Sequence, residues 1–234
     1  MSVKRKTLSK APAGPRRSPS DGGYERGEQA RAQIIDAALR VFAEEGYARA
    51  TTRRIASEAR VNPPALQYYF DSKEGLHAAC GQFMVERHSA MFAEPLAEAR
   101  RAAETGTAAE SAEAAWRLLD AMFVTTLDPE HSPDWAKFLA RTQADADGPA
   151  FVIARDAIHT PVFTACAILC ARAMERPRRD PEAIAMALFL MNMLSSFSVH
   201  QASGLSALGW NKLTEDRKQV LRDAFRRAVF GALR

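Results

Sequence analysis

Residues Ala50–Leu76 read ATTRRIASEARVNPPALQYYFDSKEGL, and this stretch decides the fold. Thr51 is a good N-cap ahead of a short helix in which Ile55, Ala56 and Ala59 face inward. Arg60-Val61-Asn62 makes a turn. Asn62 then caps a second helix whose Pro63 occupies the first helical position, where a missing N–H removes no hydrogen bond. Leu66 and Phe70, four apart, point to one side and are expected to pack on Ile55 and Phe42. Pro63, Pro64, Gln67 and Tyr68 are left on the opposite, exposed face. Two short helices joined by a tight turn and braced by a longer first helix form a helix-turn-helix, whose second helix enters a major groove.

The chemistry of the exposed face fits that placement. A glutamine at position 67 can make paired hydrogen bonds to a base edge, adenine best. Tyr68 can reach a phosphate or a thymine methyl, and Pro63 and Pro64 offer a rigid apolar surface that donates no hydrogen bond. Thr51, Arg53 and Lys73 stand at helix starts, where phosphates are held, and Ser72 ahead of Lys73 opens a fourth helix. With Thr52, Asn62 and Tyr69, these residues are the candidate DNA contacts.

Working outward, Ile35, Ala38, Leu39 and Phe42 fall on one face of a first helix that stops at Gly46. Downstream, Thr107 with Glu110 forms a capping box. Ser132-Pro133 and Asp180-Pro181 each pair an N-cap type with proline, and Thr214 opens a last helix. Pro95 and Pro161 are expected to kink or break their helices. No period-2 strand pattern stands out, so the fold class is all-α, with about nine helices. With 47% hydrophobic residues the 234-residue chain can bury an ordinary core.

The net charge of +4 is unevenly spread. Residues 1–27 carry seven Lys/Arg against Asp21 and Glu25, hence +5, which leaves the other 207 residues at −1. Rich in proline and glycine, residues 1–27 read as a disordered basic arm, either a solvated tail or an electrostatic anchor on DNA. Residues 28–76 then form the helix-turn-helix domain and 77–234 a helical effector-binding and dimerisation domain.

From about Arg31 to Leu76 the chain resembles the DNA-binding domain of the TetR family of bacterial transcriptional repressors. The likeness is carried by Phe42-Ala43-Glu44-Glu45-Gly46-Tyr47, by Thr51-Thr52-Arg53-Arg54-Ile55-Ala56, and by Tyr69-Phe70 followed by Ser72-Lys73-Glu74-Gly75-Leu76. Two positions depart from the family pattern. Arg60 stands where glycine is usual in the turn, which costs on the order of 1 kcal/mol if a left-handed backbone is kept. Pro63-Pro64 replaces the more usual polar-glycine pair. Pro149-Ala150-Phe151, Thr160-Pro161 and Leu208-Gly209-Trp210 together resemble the C-terminal domain of the CecR subgroup. The resemblance implies a homodimer on a near-palindromic double-stranded operator, with a C-terminal domain that senses a small molecule.

Cavity-lining candidates are Trp116, Phe123, Phe138, Phe163, Phe189 and Met193, and dimerisation candidates are Leu188, Met191, Leu221, Phe225 and Ala228. Residues 183–211 hold no Asp, Glu, Lys or Arg, which invites a membrane-span reading. Asn192, Ser195, Ser196, Ser198, His200 and Gln201 interrupt it, and a helix packed on both its own core and a partner is equally apolar. Cys166 and Cys170, one turn apart, read as small core side chains. No catalytic set, metal cluster or cofactor motif is recognisable, so no cofactor and no enzymatic activity are expected. Three cysteines without disulfide-type spacing and no apolar leader point to the cytoplasm. An enzyme, betrayed by turnover of a small molecule, and a pure protein-interaction bundle, betrayed by failure to bind duplex DNA, are the competing classes.

Overall fold

A computed structural model describes residues 21–127, 137–138, 141–142 and 148–234. Residues 1–20 of the basic arm and the Ser132-Pro133 helix start lie outside them. Among the described residues all regular structure is helical. The order is α1 (Asp21–Arg49), α2 (Thr52–Glu58), α3 (Pro63–Phe70), α4 (Lys73–Thr105) and α5 (Ala108–Leu127). There follow α6 (Pro149–Ala154), a π turn (Arg155–His159), α7 (Thr160–Ala173), α8 (Pro181–Val199), α9 (Gln201–Ala207) and α10 (Glu215–Ala232). The first helix therefore begins at Asp21, inside the segment expected to be disordered. Glu25 and Arg26 favour helix, but Gly22, Gly23 and Gly27 each cost about 1 kcal/mol in one, so local propensity does not account for the extension upstream of Glu28.

Two cores hold the molecule. The first gathers Ile34, Val41 and Phe42 of α1, Ile55 of α2, Leu66 and Phe70 of α3, and Leu76, Cys80 and Met84 of α4. Phe138 and Ala150, from far downstream, complete it. The second core lies among α4, α5, α7, α8 and α10, around Trp116, Leu118, Leu119, Leu169, Leu190 and Val229. Helix α4 belongs to both, so the boundary expected at residue 76 falls inside a continuous helix. Where α4 crosses α6 the backbones nearly touch. A Cβ on Gly81 would lie 2.7 Å from the Cα of Ala150.

Neither helix-interior proline breaks its helix. Pro95 lies within α4, which continues through it to Thr105. Pro161 follows the π turn, so α6 and α7 run on without a break from Pro149 to Ala173. A wider turn just before a proline separates its ring from the carbonyl it would otherwise strike. An 18-residue stretch of this run has a mean hydropathy of 1.3, so by length and composition alone it could cross a membrane. It is also a core helix: Val162, Cys166, Leu169 and Cys170 are buried against α5 and α8. Cys166 and Cys170 are free thiols there. The hydrogen bond that the Cys166 thiol donates to Cys170, together with burial, pushes that thiol well above its ordinary pKa, so it packs as a neutral group.

Candidate nucleic-acid interface

Each short helix of the N-terminal unit is started by its own side-chain cap. Thr51 Oγ1 accepts from Arg54 N–H at 3.1 Å, Asn62 Oδ1 from Ala65 N–H at 3.2 Å, and Ser72 Oγ from Gly75 N–H at 3.0 Å. Such caps stabilise a helix by about 1 kcal/mol each, and helices as short as α2 and α3 are not stable without that help and tertiary packing. The packing comes from Ile55, Leu66 and Phe70, all buried. Burying a side chain of that size contributes about 1.5–3 kcal/mol.

Because those residues fix the inner side of α3, the outer side is fixed too. Pro63, Pro64, Gln67 and Tyr68 are all exposed, Tyr68 at 83%. The Tyr68 ring meets that of Tyr69 edge-on at 5.1 Å and is otherwise open to a ligand. Thr51, Thr52, Arg53 and Asn62 are exposed beside it. Tyr69 is half-buried, with its hydroxyl beside Gly27 of α1, so it serves more as a wedge between α3 and α1 than as an open contact.

Lys73 has an occupation that sequence reasoning missed. Its Nζ donates to the carbonyls of Tyr47 at 3.0 Å, Ala48 at 3.4 Å and Ala50 at 3.3 Å. It also stands 4.6 Å from the centre of the Tyr47 ring. All three ammonium protons are thus used where α1 gives way to the α2 cap. The signal was long-range and therefore invisible in the sequence: Gly46, with φ 76°, turns the chain out of α1 and leaves those carbonyls pointing at α4.

Next to it the Tyr47 hydroxyl donates to Glu74 Oε1 at 2.8 Å. Burial, and then the bond to the carboxylate, push the Tyr47 phenol up to about 12. Glu74 is held below the usual carboxylate range by its own backbone N–H and then by the Tyr47 hydroxyl. The Tyr47 ring lies 4.5 Å from the ring of His77, which meets Phe42 edge-on at 4.7 Å. His77 Nδ1 accepts from Ala150 N–H at 3.3 Å. One connected set of groups therefore runs from the α1–α2 corner into the C-terminal unit.

The turn before α3 keeps the left-handed backbone expected of a glycine there: Arg60 has φ 55°. Its N–H donates to Ser57 O at 3.2 Å and that of Val61 to Ala56 O at 3.0 Å, the paired bonds of a Schellman helix end.

The C-terminal candidates do not converge. Trp116 and Phe123 are buried and flank Phe225, with ring centres 5.9 and 6.2 Å from it. Phe163 is partly buried against the same core. Phe138 instead lies in the first core, 5.7 Å from the His77 ring. Phe189 and Met193, 64% and 47% exposed, face out from α8. Of the dimerisation candidates, Leu188 is 48% exposed, while Met191, Leu221 and Ala228 are half-buried. Phe225 is interior, packed between Trp116 and Phe123, and Arg222 one turn before it forks onto Asp120 of α5. An open groove of ≈ 590 Å³ lies between the end of α4 and the start of α5, lined by Glu98, Arg101, Thr105, Glu110, Glu113 and Arg117 among others. None of the aromatic candidates lines it.

Comparison with known proteins agrees with both units. The family model described as "Bacterial regulatory proteins, tetR family" matches residues 34–80. The model of the "HTH-type transcriptional dual regulator CecR, C-terminal domain" matches residues 112–233. The HTH-type transcriptional dual regulator CecR of Shigella flexneri is 29% identical over 198 residues, covering 84% of this chain and 87% of its own. Among solved structures, Salmonella enterica GusR superposes with a TM-score of 0.56 at 18% identity, over 88% of this chain and 95% of that one. A TetR-like transcriptional regulator from Rhodococcus sp. RHA1 gives 0.55 at 20% identity, over 86% and 96%. A transcriptional regulator from Saccharomonospora viridis, in complex with choline, gives 0.53 at 17%, over 86% and 94%. The structural likenesses establish the fold. Because the CecR-type match alone spans more than half of its residues, the chain belongs to the TetR family of bacterial transcriptional regulators, with a helix-turn-helix at its N-terminus and a CecR-type C-terminal domain.

Proposed function

We propose that this protein acts in the cytoplasm as a homodimeric repressor that occupies a near-palindromic operator and is released by a small molecule. The reading rests on the outer face of α3. Pro63, Pro64, Gln67 and Tyr68 are exposed there on a helix whose other side is locked into the core by Leu66 and Phe70. Gln67 would read a base edge, Tyr68 and the prolines would meet methyl groups and sugar-phosphate, and Thr51, Thr52, Arg53 and Asn62 would hold the backbone. Lys73 and Tyr69 would support that set from behind.

Pairing two copies through α8 and α10 sets two recognition helices on one side of a duplex, about 34–36 Å apart. Release by an effector requires that it bind better to a state in which that spacing is wrong, and the shift cannot exceed this difference in affinity. The choline complex of the Saccharomonospora viridis protein supports a small-molecule effector for this fold. Footprinting on the DNA upstream of the protein's own coding sequence tests the proposal. Two protected half-sites one helical turn apart are expected, and absence of any protected duplex would refute it.

The name of the Shigella flexneri relative, a dual regulator, favours a second reading in which the same dimer represses some promoters and activates others. A reporter fused to each footprinted promoter separates the two. A rise at every site on deletion of the protein means repression alone, and a fall at any site means dual action.

A further inference from the structure

We infer that Arg60 is a phosphate contact at the edge of the recognition helix, a role that Lys73 is too fully occupied to fill. The inference rests on the DNA-binding reading above and adds to it a residue that neither the family pattern nor the sequence motif supplies.

Between Ala50 and Phe70 the cations are Arg53, Arg54 and Arg60. Arg54 is tied to Glu58 at 2.9 Å and to Glu45 at 3.5 Å. Glu58 also takes Arg40 at 3.2 Å. Lys73 spends its protons on three carbonyls. Among the described residues, neither Arg53 nor Arg60 meets an acid, a carbonyl or an aromatic ring, and both are exposed. Arg53 lies in the first turn of α2. Arg60 lies at the other end of that helix, two residues before the α3 cap Asn62.

The backbone sharpens the point. A left-handed residue in a Schellman helix end is ordinarily glycine, as it is at Gly209 after α9. Glu175 after α7 shows that this chain tolerates another residue in the same motif, so the strain alone marks no site. Position 60 differs in where it stands and what it carries. It holds an unpaired guanidinium at the corner where the first helix of a helix-turn-helix crosses the sugar-phosphate backbone. Arginine suits that duty, since its planar fork matches phosphate oxygens.

The two demands on position 60 oppose each other, and this makes the inference testable. Arg60→Gly relaxes the backbone and removes the charge, whereas Arg60→Gln removes the charge and keeps the strain. Binding of the full-length protein to a fragment of its own upstream DNA, and to a scrambled fragment, is measured across a range of salt. Both variants are expected to lose about tenfold in affinity on both DNAs and about one unit of the slope of log K against log salt. Arg60→Gly should meanwhile melt about 2–4 °C higher than wild type. Lys73→Met should keep the wild-type slope while melting lower. Wild-type slope and affinity in Arg60→Gln would overturn the inference, as would a slope loss in Lys73→Met equal to that of Arg60→Gln. A wild-type protein that binds no DNA under any salt would bring down the DNA-binding reading itself, a distinct result.

Discussion

At the scale of single residues, the division of labour on α3 is set by burial. Leu66 and Phe70 are 3% and 7% exposed, which leaves Pro63, Pro64, Gln67 and Tyr68 facing out. Gln67 is the one among them whose donor and acceptor are separate atoms held in one plane, as a paired contact to a base edge needs. Gln67→Ala is expected to cost about 1–3 kcal/mol of operator affinity and to relax preference at one base pair. Competition with operators altered at each position checks this, and an equal loss on random DNA would strip Gln67 of a reading role. Tyr47 carries a prediction of a different kind. Its phenol ionises at about 12 in the folded protein against an ordinary 10.0. Stability tied to the neutral phenol is complete below pH 10 and drains as pH rises through 12, because the unfolded chain loses that proton first. Tyr47→Phe should flatten the melting temperature between those two pH values, and an unchanged alkaline fall would mean that other groups cause it.

At the scale of elements, what the sequence disclosed depended on range. Caps were legible because they act over three residues. Thr107 and Glu110 exchange bonds at 2.7 and 3.2 Å, Asp180 accepts from two N–H groups of α8, and Thr214 opens α10, all as their residue types predict. The helix-turn-helix was legible for the same reason, with a cap, a turn and a four-residue apolar spacing in a continuous stretch. Features decided by neighbours far along the chain were not legible. Nothing around Pro95 foretells an unbroken α4, and nothing around Phe138 assigns it to the core of α1 rather than to a cavity. The commitment of Lys73 to carbonyls more than 20 residues upstream is of the same kind. The α4–α6 crossing yields a prediction at this scale. Gly81 is needed there because an added Cβ would stand 2.7 Å from backbone Cα and 3.0 Å from backbone oxygen of Ala150. Gly81→Ala must push the helices apart, at about 1–3 kcal/mol. A lower melting temperature is expected, and a variant as stable as wild type would show that the crossing has slack.

At the scale of the whole molecule, part of the surface is apolar and uncovered. Along α8, Ile184, Leu188, Phe189 and Met193 are 37%, 48%, 64% and 47% exposed, and Val220 of α10 is 55% exposed. Buried Ala183, Ala187, Leu190 and Leu194 hold the other side of α8 to its own core, so the helix is apolar all round for two separate reasons. That accounts for a stretch of 29 residues without a charged side chain better than a lipid environment does. In the dimer proposed above, a twofold partner would hide this patch and double the reading surface. Phe189→Glu should therefore yield a folded monomer, with helical circular dichroism retained and the mass by light scattering halved. Because one recognition helix then faces half an operator, specific binding should fall below detection at concentrations where wild type saturates. Phe225→Glu provides the contrast. Its ring is buried between Trp116 and Phe123, so a charge there should unfold the C-terminal unit rather than separate two intact ones. A Phe189→Glu protein that stays dimeric at wild-type mass would place the twofold contact on another face.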